Sequence, residues 1–265
     1  MSVYSGDESN KFKKCLDSLR LELGELHLLL AVDGKVGSEV DRLIKPLETH
    51  PSVSVYRFNT RLGLTKRLNQ LINEALNSPK RYEFFFRLDA DDQIINNRIT
   101  IQESFLKNND DVDICAGHTV DVWKDGTSTS RNLPIQHEDI VNALSTRNPI
   151  KHSTVCFRRC VFEQGHRYNN FFERCQDRVL WTDLIYAGFK FHIIEDQIIK
   201  YINDQDFISR KKDWKALKFV TLAQLYTLYK LRPKKIHPYA YFFGLIASKF
   251  LPVELLQKVY RWAEK

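Results

Sequence analysis

The sequence predicts an α/β fold in which a mixed, mostly parallel sheet is flanked by helices and followed by a helical tail. Between residues 1 and 202, apolar runs typical of strands alternate with segments of helical periodicity, as such a fold requires. Residues 26–32 and 82–88 are apolar runs that end beside an aspartate. From Asp213 onward the pattern is helical, with a break at Arg232-Pro233-Lys234-Lys235.

The strand assignments depend on apolar or alternating runs bounded by turn residues. The predicted strands are 26–32, 52–58, 82–88, a part of 112–123, 154–158 and 190–202. The helix assignments depend on apolar residues that recur three or four positions apart. The predicted helices before the tail are 37–47, a long helix beginning at Leu64, 97–106, 137–144 and 178–187.

Composition is typical of an intracellular globular protein. With 265 residues, the chain is long enough for one main domain and an appendage. Its five cysteines are scattered, without the close pairs of a disulfide framework. The first residues lack the basic and apolar regions of a secretion signal, and no stretch is long and apolar enough to span a membrane, although 236–251 comes nearest. We therefore expect a cytoplasmic protein.

The positive charge is concentrated in the tail. Residues 210–265 contain thirteen Lys or Arg against three acidic residues, so they carry +10, while residues 1–209 carry −3. Aromatic residues are interleaved with these cations. They are Trp214, Tyr226, Tyr229, Tyr239, Tyr241, Phe242, Phe243, Phe250, Tyr260 and Trp262. The combination favours an anionic membrane surface, while two amphipathic helices packed on the main domain, with solvated lysines, are the simpler alternative.

Three carboxylates lie within four residues in Asp89-Ala90-Asp91-Asp92, directly after the apolar run 82–88. Such carboxylates repel one another unless a positive group lies among them, and their hard oxygens suit Mg²⁺ or Mn²⁺. The alternative is a solvated acidic turn in which Asp92 caps the next helix. Asp33 also follows an apolar strand, and ligands of open α/β sheets bind beyond the carboxyl ends of strands, so Asp33 and Asp89 would converge on one ligand.

Six short motifs follow one another along the chain. They are Ser2-Val3-Tyr4, Val32-Asp33-Gly34, Asn59-x-x-x-Gly63-Leu64-x-x-x-x-Asn69, Arg87-Leu88-Asp89-Ala90-Asp91-Asp92, Asn148-Pro149-Ile150-Lys151-His152-Ser153-Thr154-Val155 and Gln176-Asp177-x-x-x-Trp181. From residue 2 to about 202, their order and spacing resemble family 2 glycosyltransferases of the GT-A fold. The first four resemble that family's donor-binding half, and the last two resemble its acceptor-side segment and its Glu-Asp catalytic pair.

The resemblance implies roles for the residues at the matching positions. Tyr4 and Asp33 would contact the nucleotide base, with Asp33 accepting from its N–H edge. Asp89 would reach the ribose or the metal, and Asp91 would be the principal ligand of Mn²⁺ or Mg²⁺. The metal would stabilise the departing nucleoside diphosphate.

On the acceptor side, the resemblance assigns Asp177 as the base that takes a proton from the attacking hydroxyl, with inversion by single displacement. Asp177 would also serve as the N-cap of a helix beginning near Arg178, and the two roles are compatible. Arg61 or Arg87 would supplement the metal at the leaving group.

The chain departs from the family pattern at two places. Gln176 stands where the family usually has Glu. Only Met1 precedes the Ser2-Val3-Tyr4 motif, whereas family members have several apolar residues there that form a central strand. We therefore expect translation to begin upstream. His152 would either face the donor phosphates or the metal, or be a structural histidine.

The resemblance implies an inverting, metal-dependent glycosyltransferase of bacterial surface polysaccharide synthesis, such as O-antigen, capsule or exopolysaccharide (lipopolysaccharide and related polymers). It would move a hexose or N-acetylhexosamine from a nucleotide sugar, in the first place a UDP-sugar, to a growing oligosaccharide on polyprenyl diphosphate. Residues 1–205 would form the catalytic domain, with nucleotide-sugar binding in about 1–110 and acceptor binding in about 111–205. Residues 206–265 would form a basic aromatic helical tail, peripheral on the cytoplasmic face of the inner membrane.

Two alternatives compete with this interpretation. A sugar nucleotidyltransferase would share the architecture, but it should open with a Gly-rich phosphate loop, and Ser5-Gly6-Asp7-Glu8 is not one. A non-catalytic protein that binds nucleic acid or a membrane complex would explain the basic tail, but it leaves the ordered acidic motifs unexplained. We therefore expect an enzyme without a nucleic-acid partner.

Overall fold

A computed structural model describes residues 1–19, 26–123, 128–129, 133–203 and 214–247. Parallel strands form the first sheet, in the order β1 (Ser2–Tyr4), β2 (Leu28–Asp33) and β3 (Val53–Phe58). The central strand β2 is apolar up to Asp33, as a strand buried on both faces requires. In the parallel register, Tyr4, Asp33 and Phe58 lie side by side at the carboxyl edge.

Helices connect the strands of this sheet. They are α1 (Ser9–Leu19), α2 (Ser38–Ile44), a 3-10 turn at Lys45–Thr49 and α3 (Leu64–Asn77). The buried face of α3 carries Leu68, Leu71 and Ala75, as the helical spacing predicts. Arg67 lies on the same buried face, where a charged residue needs a partner.

The second sheet is mixed. Its strands are β4 (Phe84–Phe86), β5 (Gln93–Ile94), β6 (Ile114–Trp123), β7 (Ser128–Thr129), β8 (Cys156–Arg158) and β9 (Phe191–Asn203). They pair in the order β4-β8-β6-β9-β5, with β7 beside β6, and the β6–β9 pair is parallel. Its helices are α4 (Arg98–Asn108), α5 (His137–Leu144), α6 (Arg159–Glu163) and α7 (Gln176–Tyr186). The expected α/β architecture is therefore present, divided between an all-parallel sheet and a mixed sheet.

Two buried polar residues of α4 hold the chain where β4 ends. Arg98 donates to the carbonyl oxygen of Arg87 at 2.9 Å, and Gln102 donates to that of Thr154 at 2.8 Å. Both side chains are fully buried, so they satisfy carbonyl groups that water cannot reach. This network fixes the segment that carries Asp89.

A cavity of about 640 Å³ separates the start of β2 from β4. In the described residues, β2 pairs with β1 from Ala31 to Asp33, because β1 is short. Apolar side chains such as Leu28 and Phe85 line the cavity. The expectation that translation begins upstream of Met1 stays a prediction.

Two helices of the tail are described, α8 (Trp214–Leu231) and α9 (His237–Ala247). The first packs on α7, as the packed-helix alternative requires: Thr227 is fully buried, and its Oγ1 lies 3.0 Å from that of Thr182. Within the described ranges, no helix combines the length and the apolar character needed to cross a membrane. The aromatic residues Phe250, Tyr260 and Trp262 of the predicted tail lie outside the described residues.

Both capping interpretations are wrong. The helix after the acidic cluster, α4, has Asn97 as its N-cap, and Asp92 is buried rather than part of a solvated turn. The helix α7 has Cys175 as its N-cap, so Asp177 already lies in the first helical turn. Capping therefore accounts for neither carboxylate.

Candidate active site

The residues predicted to bind the donor line one cleft of about 670 Å³ at the carboxyl ends of β2 and β4. They are Tyr4, Asp33, Arg61, Asp89 and Asp91. The opposite wall comes from the segment before α7, through Asn170, Glu173 and Arg174. Sequence reasoning missed this wall, because its residues carry no motif.

Tyr4 ends β1 and forms one side of the cleft. Its backbone N–H donates to Asp7 Oδ2 at 2.8 Å, which closes the turn after the strand. The Arg61 guanidinium lies 4.3 Å from the centroid of the Tyr4 ring, a cation–π contact. Gly6 leaves room for this ring, since a Cβ at that position would lie 2.5 Å from Tyr4 Oη.

Asp33 anchors the loop that carries Arg61. Its Oδ1 accepts from the backbone N–H of Leu62 at 2.8 Å and from Arg67 Nε at 2.6 Å, and its Oδ2 accepts from Gly63 N–H at 2.8 Å. Burial alone would raise the pKa of Asp33, but these three hydrogen bonds outweigh it and hold the pKa below its ordinary value. One acceptor position on Oδ2 remains for a ligand.

Arg67 is a residue of this site that sequence reasoning missed. It is 2% exposed and reaches both Asp33 and the carbonyl oxygen of Thr60, while its guanidinium lies 3.7 Å from the centroid of the Phe58 ring. The available signal was its position on the apolar face of α3, between Leu64 and Leu71. A charged residue at such a position indicates a buried partner.

Asp89 is paired with an arginine. Arg87, which is buried, donates to Asp89 Oδ1 and to the carbonyl oxygen of Leu88. Burial acts to raise the pKa of Asp89, but the charge of Arg87, its hydrogen bond and smaller contributions from other nearby groups together outweigh it and hold the pKa below its ordinary value. Asp89 is therefore ionised, and Arg87 compensates part of its charge within the protein.

Asp91 and Asp92 differ in their surroundings. Asp91 is exposed to the cleft, where loss of solvent, followed by the charge of Asp89, raises its pKa. Asp92 is 1% exposed and lies outside the cleft lining; burial and then Asp89 raise its pKa to about 8. Asp91 is therefore the carboxylate of the cluster that is open to a ligand.

The acidic residues of the cleft fit a divalent cation. Besides Asp89 and Asp91, Asp7 lines the cleft, and its pKa is raised to about 6 by burial and by these two neighbouring charges. Mutual repulsion of this kind is relieved by a cation. In the described residues, no cluster of three His, Cys, Asp or Glu is arranged to hold a metal. Mg²⁺ and Mn²⁺ suit such a site, since they bind through one or two carboxylates and take further ligands from phosphates and water.

Asp177 lies in the first turn of α7, close enough to Asp89 for that charge to influence it. Burial first, and the charge of Asp89 to a smaller degree, raise the pKa of Asp177, while backbone N–H groups of the helix start lower it. Asn148 Nδ2 donates to Asp177 Oδ2 at 2.8 Å. The neighbouring Gln176 has a buried Oε1 without a hydrogen-bond partner in the structure.

His152 has a structural partner. Its Nε2 lies 2.7 Å from the hydroxyl of Tyr168, and the ring contacts Trp181 edge to face. Burial and then the charge of Arg87 lower the pKa of His152 to about 3. The imidazole is therefore neutral near pH 7 and does not supply a positive charge to the donor phosphates.

The motif residue Asn69 joins the two halves of the site. Its Nδ2 donates to the carbonyl oxygen of Tyr168 at 2.8 Å, and its Oδ1 accepts from Tyr168 N–H at 2.9 Å. This paired contact ties α3 to the segment that continues into Asn170 and the far wall of the cleft. An amide suits this position because it carries both a donor and an acceptor, so one side chain makes both hydrogen bonds.

The chain matches glycosyl transferase family 2 over residues 4–165. It belongs to that family. The protein is thus a glycosyltransferase, and the family excludes the two alternatives of a nucleotidyltransferase and a non-catalytic binding protein. The motifs quoted from the sequence lie mostly within the matched range, with Asp177 beyond it.

This glycosyltransferase is similar over most of its length to known proteins. It is 23% identical to the amylovoran biosynthesis glycosyltransferase AmsE of Erwinia amylovora, over 98% of this chain and 96% of the relative. It is 22% identical to the UDP-Gal:alpha-D-GlcNAc-diphosphoundecaprenol beta-1,3-galactosyltransferase of Escherichia coli, over 71% of this chain and 67% of the relative.

The fold of this glycosyltransferase is that of a solved structure. TarS of S. aureus, residues 1–349 in complex with UDP-GlcNAc, superimposes with a TM-score of 0.63 at 13% identity, over 92% of this chain and 70% of the other. Its complex with UDP gives 0.61 at the same identity. The expected GT-A fold is confirmed.

Proposed function

We propose that this glycosyltransferase moves a hexose or N-acetylhexosamine from a UDP-sugar to a lipid-linked oligosaccharide during bacterial surface polysaccharide synthesis, with inversion at the anomeric carbon. Similar proteins support the substrate classes. One is named for amylovoran biosynthesis, another for transfer from UDP-Gal to a GlcNAc-diphosphoundecaprenol, and TarS was solved with UDP-GlcNAc.

One observation carries the proposal. The residues expected to hold the donor line a single cleft, and Asp177 is near enough for the Asp89 charge to raise its pKa. In this proposal residues 1–205 form the catalytic domain, with the donor bound by about 1–110 and the acceptor by about 111–205. Residues 206–265 form the tail.

The residues of the cleft divide the chemistry between them. Tyr4 and Asp33 bind the base, Arg61 lies beside the diphosphate, and Arg87 keeps Asp89 ionised. A Mn²⁺ or Mg²⁺ ion held by Asp91 and Asp89 would supply Lewis-acid stabilisation of the departing nucleoside diphosphate. Asp177 accepts the proton of the acceptor hydroxyl, and burial makes it a stronger base than an exposed carboxylate.

The test uses the purified protein with UDP-Gal, UDP-Glc and UDP-GlcNAc and a GlcNAc-diphospholipid acceptor, with and without Mn²⁺. Transfer is followed by mass spectrometry, and NMR gives the anomeric configuration of the product. We expect Asp91→Ala and Asp177→Asn each to lower transfer at least about 100-fold. Retained configuration, or full activity of Asp177→Asn, would overturn the proposed mechanism.

Two exposed aspartates provide matched controls. Asp139 lies in the first turn of α5, as Asp177 lies in that of α7, so Asp139→Asn makes the same change in the first turn of another helix. Asp110, 97% exposed, is the control for Asp91→Ala. Both variants should transfer like the parent protein.

For the tail we propose peripheral binding to an anionic membrane surface. The helix α9 contains no Lys, Arg, Asp or Glu, and its apolar residues are largely exposed. Phe243 is 68% exposed, and Ile236, just before the helix, is 84% exposed. Lys234 and Lys235 precede it. An apolar surface beside cations suits the headgroup region of an anionic bilayer, where a lipid-linked acceptor lies.

Vesicle flotation tests the membrane proposal. The protein should float with vesicles containing phosphatidylglycerol and less with pure phosphatidylcholine, and high salt should weaken the binding. Phe243→Glu should abolish flotation, whereas Phe171→Glu, at an exposed phenylalanine outside the tail, should not. Equal flotation of Phe243→Glu and the parent protein would refute the role of α9.

A further inference from the structure

A loop amide faces the proposed base. Asn148 lies between α5 and the 3-10 turn His152–Thr154, and its Nδ2 is 2.8 Å from Asp177 Oδ2. The two residues are 29 positions apart in the sequence. The contact brings a neutral side-chain donor to Oδ2 of the carboxylate, in addition to the backbone N–H groups of the helix start.

The orientation of this amide follows from its second hydrogen bond. Asn148 Oδ1 accepts from the backbone N–H of Ile150 at 3.2 Å. A peptide N–H can only donate, so the atom facing Ile150 is the amide oxygen and the atom facing Asp177 is the NH₂ group. Pro149 has no N–H, so Ile150 offers the first backbone donor after Asn148. The local turn thus holds the amide in the orientation in which its NH₂ group donates to Asp177.

We infer that Asn148 is a positioning residue, which orients the Asp177 carboxylate and favours its ionised form so that Oδ1 faces the acceptor hydroxyl. The inference depends on the proposed role of Asp177 as the base. An amide suits this task because it donates to a carboxylate without competing for the transferred proton.

Other charged or titratable groups also influence Asp177. Arg178 and Cys175 belong to the same helix segment, Asp89 follows β4, and Tyr168 approaches from the segment before α7. None of these groups is changed by a substitution at Asn148. A change in the pH dependence of transfer in an Asn148 variant would therefore report on the contact itself.

The decisive variant is Asn148→Asp. A carboxylate at this position retains an acceptor for Ile150 N–H, so the loop keeps its turn, but it loses the donor to Asp177 and adds a like charge. Like charges at this distance raise the pKa of one partner by a unit or more. We expect the acid limb of the kcat profile to move to higher pH by at least about one unit, so that transfer is about tenfold lower at pH values below the limb. The KM for the UDP-sugar should stay unchanged.

Two further variants complete the experiment. Asn148→Ala removes both hydrogen bonds and should also move the acid limb upward, though less than Asn148→Asp. Asn142→Asp makes the same chemical change at an exposed position of α5 and should keep the parent profile. Thermal melting of each variant identifies any that fail to fold; should Asn148→Ala be one of them, Asn148→Asp decides the question.

The outcomes separate this inference from the proposed function. If Asp177→Asn still transfers sugar, Asp177 is not the base and both statements fail. If Asp177→Asn is inactive while the Asn148→Asp profile superimposes on that of the parent protein, the proposed function stands and the positioning role is refuted. An upward shift of the acid limb with unchanged donor KM supports the role.

Discussion

Arg67 Nε and Asp33 Oδ1 lie 2.6 Å apart in an ion pair whose side chains are 2% and 3% exposed. Asp33 lines the cleft and also holds the backbone of Leu62 and Gly63, which line it too. The negative charge of Asp33, which orders the loop at Leu62 and Gly63, is therefore balanced by Arg67 within the protein itself.

Arg67→Ala should destabilise the protein strongly. The substitution leaves the Asp33 carboxylate buried without its cation, and breaking one partner of a buried pair costs about 3–5 kcal/mol. The free energy of unfolding, measured in urea, gives the value. Arg42→Ala is the control: Arg42 pairs with Glu39 at the surface, and its loss should cost no more than about 1 kcal/mol. Similar losses for the two variants would contradict the structural role of Arg67.

Gly6→Ala should weaken UDP binding without unfolding the protein. The new Cβ would lie 2.5 Å from Tyr4 Oη, so the ring must leave its place against Arg61. If Tyr4 stacks on the base, the loss should be up to about tenfold in affinity, the scale of one aromatic contact. Isothermal titration with UDP measures it.

Gly37→Ala is the control for this prediction. A Cβ at Gly37 meets nothing within 4 Å, and the backbone φ of −65° suits alanine. The control should bind UDP like the parent protein. Unchanged affinity in Gly6→Ala would show that Tyr4 does not contact the base.

The two aspartates at the end of the cluster should respond differently to removal of their charge. Asp91 is exposed to the cleft, whereas Asp92 is buried and, with a pKa of about 8, is largely protonated at pH 7. Asn is nearly isosteric with a neutral Asp. Asp91→Asn should therefore weaken Mn²⁺-dependent UDP binding at least about tenfold. Loss of a residue that only hydrogen-bonds to a metal ligand already weakens metal binding by about this factor. Asp92→Asn should leave Mn²⁺-dependent UDP binding nearly unchanged. A larger loss in Asp92→Asn than in Asp91→Asn would identify Asp92 as the metal ligand instead.

The sequence predicted what depends on local pattern. Asp33 and Asp89 were expected to share a ligand because both follow apolar strands, and both line the cleft. The strand β4 is shorter than its apolar run and ends at Phe86, because the carbonyl oxygen of the next residue, Arg87, is held by Arg98 rather than by a neighbouring strand.

Contacts between distant segments were beyond such reasoning. Asn148 and Asp177 were both quoted in motifs, but no periodicity indicates that their side chains meet across 29 residues. The burial of Asp92 is similar. Its sequence context predicts a solvated turn, but in the fold its side chain is 1% exposed and Ser153 of the 3-10 turn lies beside it. Burial of a polar residue is a property of the assembled fold.

The histidine of the acceptor-side motif should make the protein less stable in acid. The folded pKa of His152 is lowered to about 3, whereas an unfolded histidine titrates near 6.5. Between these values the unfolded chain binds a proton that the folded protein does not, so stability falls as the pH decreases from about 6.5, by at most about 1.4 kcal/mol per pH unit. In His152→Gln this contribution is absent, and the difference between the unfolding free energies at pH 7 and pH 5 should shrink. His237→Gln, at an exposed position of α9, should keep the parent difference. If His152→Gln keeps it as well, the pKa of His152 is not lowered in the folded protein.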